Sequence, residues 1–116
     1  RNDALVSILI WNFDETVISM IPEGDVPFTP NDSPQGTNHT SLRREQRNLY
    51  HFVKGGNDSL NNIRRETMFI QMLEGLHPNE ANLVILAKDG RLDEQYSITY
   101  DQVAEAYPDI QWGGRS

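Results

Sequence analysis

Apolar residues recur at helical spacing along much of the chain, and the first such stretch covers residues 3–13. Leu5 and Leu9 lie one helical turn apart there, and Asp3 is positioned to cap the start of the helix. The competing interpretation is a buried strand, because residues 5–11 are rich in branched side chains. We favour the helix on the spacing of its apolar residues.

Capping and helix-breaking residues divide the rest of the chain into further helices. One helix is predicted to start at Asp14 and to stop at Pro22, and the next to start at Thr40 or Ser41 and to stop at Gly55. The three that follow are predicted between Asn57 and Gly75, between Pro78 and Gly90, and between Thr99 and Pro108. The helix that starts after Asn57 has the clearest apolar stripe. Its predicted inner face consists of Leu60, Ile63, Thr67, Ile70 and Leu73, widened by Phe69, Met72 and Leu76.

Two of these helices carry distinctive terminal residues. Lys88 and Gly90 predict a helix end with a cation near the carbonyl terminus and a glycine in the left-handed position. Thr99 and Gln102 have the spacing of a capping box, in which each side chain satisfies a backbone amide of the other residue.

Residues 22–40 have no repeating pattern, and they predict an extended loop. Four prolines interrupt this segment, namely Pro22, Pro27, Pro30 and Pro34. A loop of this length usually either carries function or wraps its own domain. The apolar Val26 and Phe28 favour wrapping.

These elements predict an all-α fold, a compact bundle of five or six short helices with a long proline-rich loop. A chain of 116 residues is long enough for one helical domain over residues 1–116 with a modest core. Because the chain begins with Arg1 rather than methionine, we expect an N-terminal part to be missing.

Basic residues are concentrated in one window of an acidic chain. Residues 43–65 contain six basic and two acidic side chains, a net charge of +4, whereas the other residues contain four basic and fifteen acidic ones. The chain as a whole carries −7. Such a distribution predicts one surface that attracts an anion on a molecule that otherwise repels it.

Five arginines of this window form the predicted binding surface: Arg43, Arg44, Arg47, Arg64 and Arg65. They fall on two successive helices, and we expect the two helices to bring the guanidinium groups together. Arginine suits phosphate because its planar fork donates two parallel hydrogen bonds. The alternative interpretation is an ordinary solvated helix surface.

Recognisable catalytic chemistry is absent from the sequence, so we expect a protein that is not an enzyme and that needs no cofactor. The chain has no cysteine, and its three histidines have no metal-ligand spacing, which leaves no expected metal site. It contains neither a G-x-S-x-G nor a phosphate-loop pattern. No apolar run approaches the roughly 20 residues of a membrane span.

Three motifs stand out along the chain, namely IPEGDVPFTPN at residues 21–31, RETMFIQMLEGLHP at residues 65–78 and VAEAYP at residues 103–108. Together they resemble an uncharacterised family of small proteins from contractile-tailed phages of marine cyanobacteria and related bacteria. This resemblance covers essentially the whole chain and implies a phage protein, without implying a mechanism. It also implies about thirty further residues before Arg1.

A second resemblance concerns residues 49–110. The order of helices there, with Arg64 and Arg65 on the second, is similar to the α-helical N-terminal DNA-binding domain of phage ATP-dependent DNA ligases. Those enzymes use a lysine in a K-x-D-G motif. Because residues 88–90 lack the spacer of that motif, the sequence does not predict ligase activity.

The expected function is therefore that of a non-catalytic module acting in the host cytoplasm. It would contact DNA, or a phage or host protein of replication or transcription, through the five arginines. The alternative is a virion component of the capsid or tail, in which the proline-rich loop would lie across a neighbouring subunit.

Overall fold

The computed structural model describes residues 2–31, 33–34 and 39–115. Within these residues the chain forms helices and a single isolated β-bridge, which confirms the all-α prediction. The helices are α1 (Asp3–Phe13), α2 (Leu42–Glu45) with its continuation as a 3-10 segment (Gln46–Phe52), α3 (Asn62–Gly75), α4 (Pro78–Lys88), α5 (Leu92–Gln95) and α6 (Tyr100–Ala106). None of them is long and apolar enough to cross a lipid bilayer.

Helix α1 lies between two apolar clusters, and this position explains its composition. Ala4, Ile8 and Trp11 face the main core, which α1 shares with α3 and α4. Val6 and Leu9 face a second cluster that includes α6 and the C-terminal segment. A helix buried on two sides is apolar nearly all round, which is why the same residues also resemble a buried strand.

Several helix starts differ from the predicted ones by a few residues. Asn2 rather than Asp3 caps α1, since its Oδ1 accepts a hydrogen bond from the Leu5 N–H at 3.1 Å. Asn61 caps α3, four residues after the predicted cap at Asn57. The capping box of α6 is confirmed, with both of its hydrogen bonds present.

The predicted second helix, after Asp14, is wrong. The side chain of Asp14 caps a turn instead, because its Oδ1 accepts hydrogen bonds from the N–H and hydroxyl of Thr16 at 2.9 and 2.6 Å. The chain then runs extended, and Ser19 pairs with Val53 in the isolated antiparallel bridge. The β-branched residues 16–18 suit this extended backbone better than a helix.

The buried face of α3 is rotated from the predicted stripe. Ile63 is 81% exposed, and Thr67 is also exposed, so the prediction is wrong for both. The residues of α3 that are buried are Arg65, Phe69, Met72 and Leu73. Arg65 therefore lies in the core, on a side of α3 that the apolar pattern did not predict to be buried.

The described part of the loop at residues 22–40 contains no helix or strand and packs on the protein's own core. Val26 and Phe28 contact the main apolar cluster, as predicted for a wrapping loop. The beginning of the loop is held by Lys88, whose Nζ donates hydrogen bonds to the carbonyls of Pro22 and Gly24 at 3.0 and 2.9 Å. Lys88 does end its helix, but its ammonium is buried rather than solvated.

Candidate functional site

The two helices that carry the predicted binding residues run antiparallel. At one end, the Thr40 N–H donates to the carbonyl of Gly75, the last residue of α3, at 2.8 Å. At the other end, the Nε of Arg65 donates to the carbonyl of His51 at 2.8 Å. The start of α2 therefore lies beside the end of α3, and the end of the 3-10 segment lies beside the start of α3.

This arrangement separates the arginines that the sequence predicts to converge. Arg43 and Arg44 lie near the end of α3 that Gly75 marks, whereas Arg64 lies at the opposite end. Eleven residues of α3 separate Arg64 from Gly75, which corresponds to about 16 Å along the helix axis. The expectation that all five guanidinium groups meet on one surface is therefore wrong.

Three of the arginines do cluster, and we call Arg43, Arg44 and Arg47 the arginine patch. All three are exposed, and together with Ser41 and Gln46 they line an open depression of about 620 Å³. None of them makes an ion pair or side-chain hydrogen bond with another described residue. Arg43 and Arg47 are one helical turn apart and so share a face, which leaves their donors available to an anion.

Arg65 cannot belong to a binding surface, because it is only 3% exposed. Besides the bond to His51, its guanidinium donates to the carbonyls of Asn57 and Leu60 at 3.0 and 2.9 Å and to Oδ1 of Asn62 at 2.6 Å. These bonds occupy the fork with internal acceptors. Its inclusion in the predicted set is wrong, and its role is to hold residues 51–62 against the start of α3.

Arg64 is exposed on the other side of the same helix turn. Its backbone N–H is bound by the Asn61 cap at 2.8 Å, and its side chain has no partner among the described residues. It remains an isolated surface cation, apart from the arginine patch.

A groove that the sequence did not predict adjoins the arginine patch. Its volume is about 640 Å³, and it shares Arg43 and Gln46 with the depression of the patch. Leu5 and Leu83 provide apolar wall, and Leu5 is 40% exposed although the helical pattern placed it inside. The sequence contains no specific signal of this groove, because the apolar composition of α1 is already explained by its two buried faces.

The charges along the groove are mixed. Asp3 and Glu80 also line it, beside Arg43. Arg44 and Arg47 line only the depression of the patch, and neither of these carboxylates lines that depression.

Histidines and carboxylates do not form a metal-binding cluster in the part of the chain that the structure describes. Two histidines that appear isolated in the sequence do meet, since the rings of His39 and His77 are 5.4 Å apart. His77 Nδ1 accepts the N–H of Asn79 at 3.1 Å, which caps α4, and His39 Nε2 lies 3.1 Å from the carbonyl of Asn31. These contacts place both residues at the junction between the loop and α4, although Nδ1 of His39 is buried there without a hydrogen-bond partner among the described residues.

The described residues define a small all-α protein with an exposed cluster of three arginines. The chain belongs to DUF6433, a family of unknown function, whose profile matches residues 1–94. Comparison with curated proteins and with solved structures found no match.

Proposed function

We propose that this protein is a non-catalytic binding module that contacts an acidic segment of a partner protein through the arginine patch. The observation that carries the proposal is the clustering of Arg43, Arg44 and Arg47, exposed and unpaired among the described residues, around one open depression. The setting of a phage-infected cell rests on the resemblance of residues 21–31, 65–78 and 103–108 to phage proteins.

The charge balance favours a protein partner over duplex DNA. Apart from the three arginines of the patch, the chain carries −10, since the total is −7. Affinity for a duplex depends on releasing the counterions of the phosphates that the protein neutralises, so it grows with the number of basic side chains in contact with the duplex. With Arg65 buried and Arg64 outside the depression, the patch offers three arginines.

The groove beside the patch supports the same choice. Its exposed Leu5 and partly buried Leu83 would contact apolar side chains of a partner, while the guanidinium groups pair with carboxylates. A bare phosphate backbone offers nothing to the apolar wall. Glu80, which also lines the groove, would orient the segment, because it repels carboxylates toward Arg44 and Arg47.

The test compares binding of two dye-labelled probes by fluorescence anisotropy. One probe is a short amphipathic peptide with glutamates on one face and leucines on the other, and the second is a short DNA duplex. The variant that removes the patch is Arg43→Glu/Arg44→Glu/Arg47→Glu, and its matched control is Arg64→Glu, which changes an exposed arginine outside the patch.

We expect the peptide to bind and the triple variant to weaken it at least about tenfold, with the control unchanged. Binding of the duplex alone, with a salt slope of about −3, would instead indicate a nucleic-acid partner. Equal losses in the control and the triple variant would contradict a role specific to the patch. Failure of both probes at low salt would reject the proposal.

The virion alternative has less support from the fold. That alternative depends on a proline-rich loop that lies across a neighbouring subunit. The described part of the loop instead packs on the protein's own core through Val26 and Phe28. Mass spectrometry of purified particles tests it directly, and detection of the chain in stoichiometric amount would favour that alternative.

A further inference from the structure

A second cavity lies at the opposite end of α1 from the arginine patch. Two hydrogen bonds hold the segments that line it. Oδ1 of Asn12 accepts the N–H of Leu92 at 2.9 Å, and Oδ2 of Asp14 accepts the N–H of Gly113 at 2.9 Å. These bonds draw α5 and the C-terminal segment to the end of α1. The resulting cavity has a volume of about 630 Å³, within the usual range of about 300–1,000 Å³ for ligand clefts.

Aromatic rings form one wall of this cavity. Tyr100 and Trp112 both line it, with ring centroids 5.0 Å apart and planes inclined at 55°. Tyr100 is 44% exposed and Trp112 is half-buried, so the pair presents ring surface to the cavity. Aromatic faces carry partial negative charge and attract cations at distances up to about 6 Å.

Two carboxylates complete the lining. Glu15 and Asp93 are both exposed, and neither makes an ion pair or hydrogen bond with another described residue. The C-terminal end of α1 adds partial negative charge, and its last turn contains no basic residue to offset it.

The basic side chains near the cavity are already paired. Arg91 forms an ion pair with Glu94 at 2.8 Å. Arg115 forms an ion pair with Asp14, and its guanidinium also donates to the carbonyl of Gln111. The potential within the cavity is therefore negative, and residues 89–116 as a whole contain six acidic and two basic side chains.

We propose that this cavity binds a positively charged side chain, arginine or lysine, of a partner protein. The cation would lie against the rings of Tyr100 and Trp112, within reach of the carboxylates of Glu15 and Asp93. An aromatic wall with unpaired carboxylates is the arrangement that recognises organic cations, and the cavity has room for a long side chain together with its flanking backbone.

This site is independent of the proposed function, because it lies at the other end of α1 and selects the opposite charge. A protein with both sites would contact an acidic segment at one end and a basic side chain at the other. Either site can be tested, and can fail, without the other.

The experiment uses the full chain labelled with ¹⁵N and a blocked Gly-Arg-Gly peptide as the probe. The matched probe carries citrulline in place of arginine, which keeps the shape of the side chain and removes its charge. The indole N–H of Trp112 and the amide of Gly113 report binding, while the indole of the buried Trp11 serves as an internal reference.

Two variants locate the site. Glu15→Gln/Asp93→Asn removes both unpaired carboxylates at exposed positions, where the fold does not depend on them, and Trp112→Leu removes the aromatic wall. The control is Asp58→Asn, an exposed carboxylate outside the cavity. Spermidine is titrated separately to distinguish a free polyamine from a protein side chain.

We expect saturable shifts at Trp112 and Gly113 with the arginine peptide, no saturable shift with the citrulline peptide, and about tenfold weaker binding in the double carboxylate variant. Raised salt should weaken binding, and Asp58→Asn should leave it unchanged. Equal binding of both peptides, an unchanged affinity in the double variant, or binding of spermidine without the arginine peptide would overturn the proposal.

Discussion

The ammonium of Lys88 lies 2.7 Å from the carboxylate of Asp89, and both side chains are almost wholly buried, at 0% and 4% exposure. The pair also holds the first residues of the proline-rich loop. Lys88 donates to two loop carbonyls, while Oδ2 of Asp89 accepts the N–H of Gly24 at 3.0 Å. All three donors of the ammonium are thus satisfied, and the loop is fixed to the end of α4 by buried charges.

Replacing Lys88 with methionine should destabilise the protein by about 3–5 kcal/mol, because Asp89 would remain buried without its counter-charge. Urea unfolding measures the change. The double variant Lys88→Met/Asp89→Asn should recover part of the loss, since it removes the uncompensated charge. The exposed pair of Arg91 and Glu94 provides the control, and Arg91→Gln should cost less than about 1 kcal/mol. A Lys88→Met variant as stable as this control would contradict the structural role of the buried pair.

Adjacent arginines at the start of α3 should lose very different amounts of stability on the same substitution. Arg65→Met leaves three backbone carbonyls and the Asn62 side chain without their donor, and we expect a loss of about 3 kcal/mol in the free energy of unfolding. Arg64→Met changes an exposed side chain and should cost less than about 0.5 kcal/mol. Chemical denaturation of both variants measures the difference, and similar losses would show that the fork of Arg65 contributes little.

The elements that the sequence predicts correctly are those whose signals are local. The helix at residues 3–13, the proline start at Pro78 and the capping box at Thr99 depend on residues within one or two turns of each other. The helix predicted after Asp14 failed because the partner of that segment, the bridge to Val53, is distant in sequence. Local propensity contains no information about such a contact.

The candidate site was predictable only in part for the same reason. The positive window is visible in composition, and three of its arginines do cluster. The burial of Arg65 depends on carbonyls that face it only after the turn at residues 55–61 has formed. Charge in the sequence thus indicated where cations occur, while the hydrogen-bond acceptors determined which of them reach the surface.

Gly56 should not tolerate a side chain. A Cβ at this position would lie 1.8 Å from the backbone oxygen of Tyr50, so the turn after the 3-10 segment would have to move. We expect Gly56→Ala to lower the free energy of unfolding by about 3 kcal/mol or more. Gly24→Ala is the matched control, because that glycine has a positive φ of 99° but nothing within 4 Å of its Cβ, and backbone strain alone should cost about 1 kcal/mol. Equal losses in the two variants would contradict the steric role of Gly56.

Acid should release the C-terminal segment through Asp14. Burial alone would raise the pKa of this carboxyl above its ordinary 3.8. Four hydrogen bonds outweigh burial and lower the pKa to about 2; they come from the Thr16 side chain, the N–H groups of Gly113 and Thr16, and the Arg115 guanidinium. Because the pKa is lower in the folded state than in the unfolded state, ionised Asp14 stabilises the fold above pH 4. This contribution, about 2 kcal/mol, is lost as the pH falls from about 4 to about 2.

The carboxyl carbon of Asp14, followed by NMR against pH, measures this prediction directly. It should titrate near pH 2 in the natural chain and at higher pH in an Arg115→Gln variant, which removes one of the stabilising donors. The stability difference between the natural chain and Asp14→Asn should stay constant above pH 4 and shrink below it, because protonation then leaves Asp14 uncharged in the natural chain, as asparagine already is in the variant. A midpoint near 4 in the natural chain would mean that the C-terminal segment is not held by this carboxylate in solution.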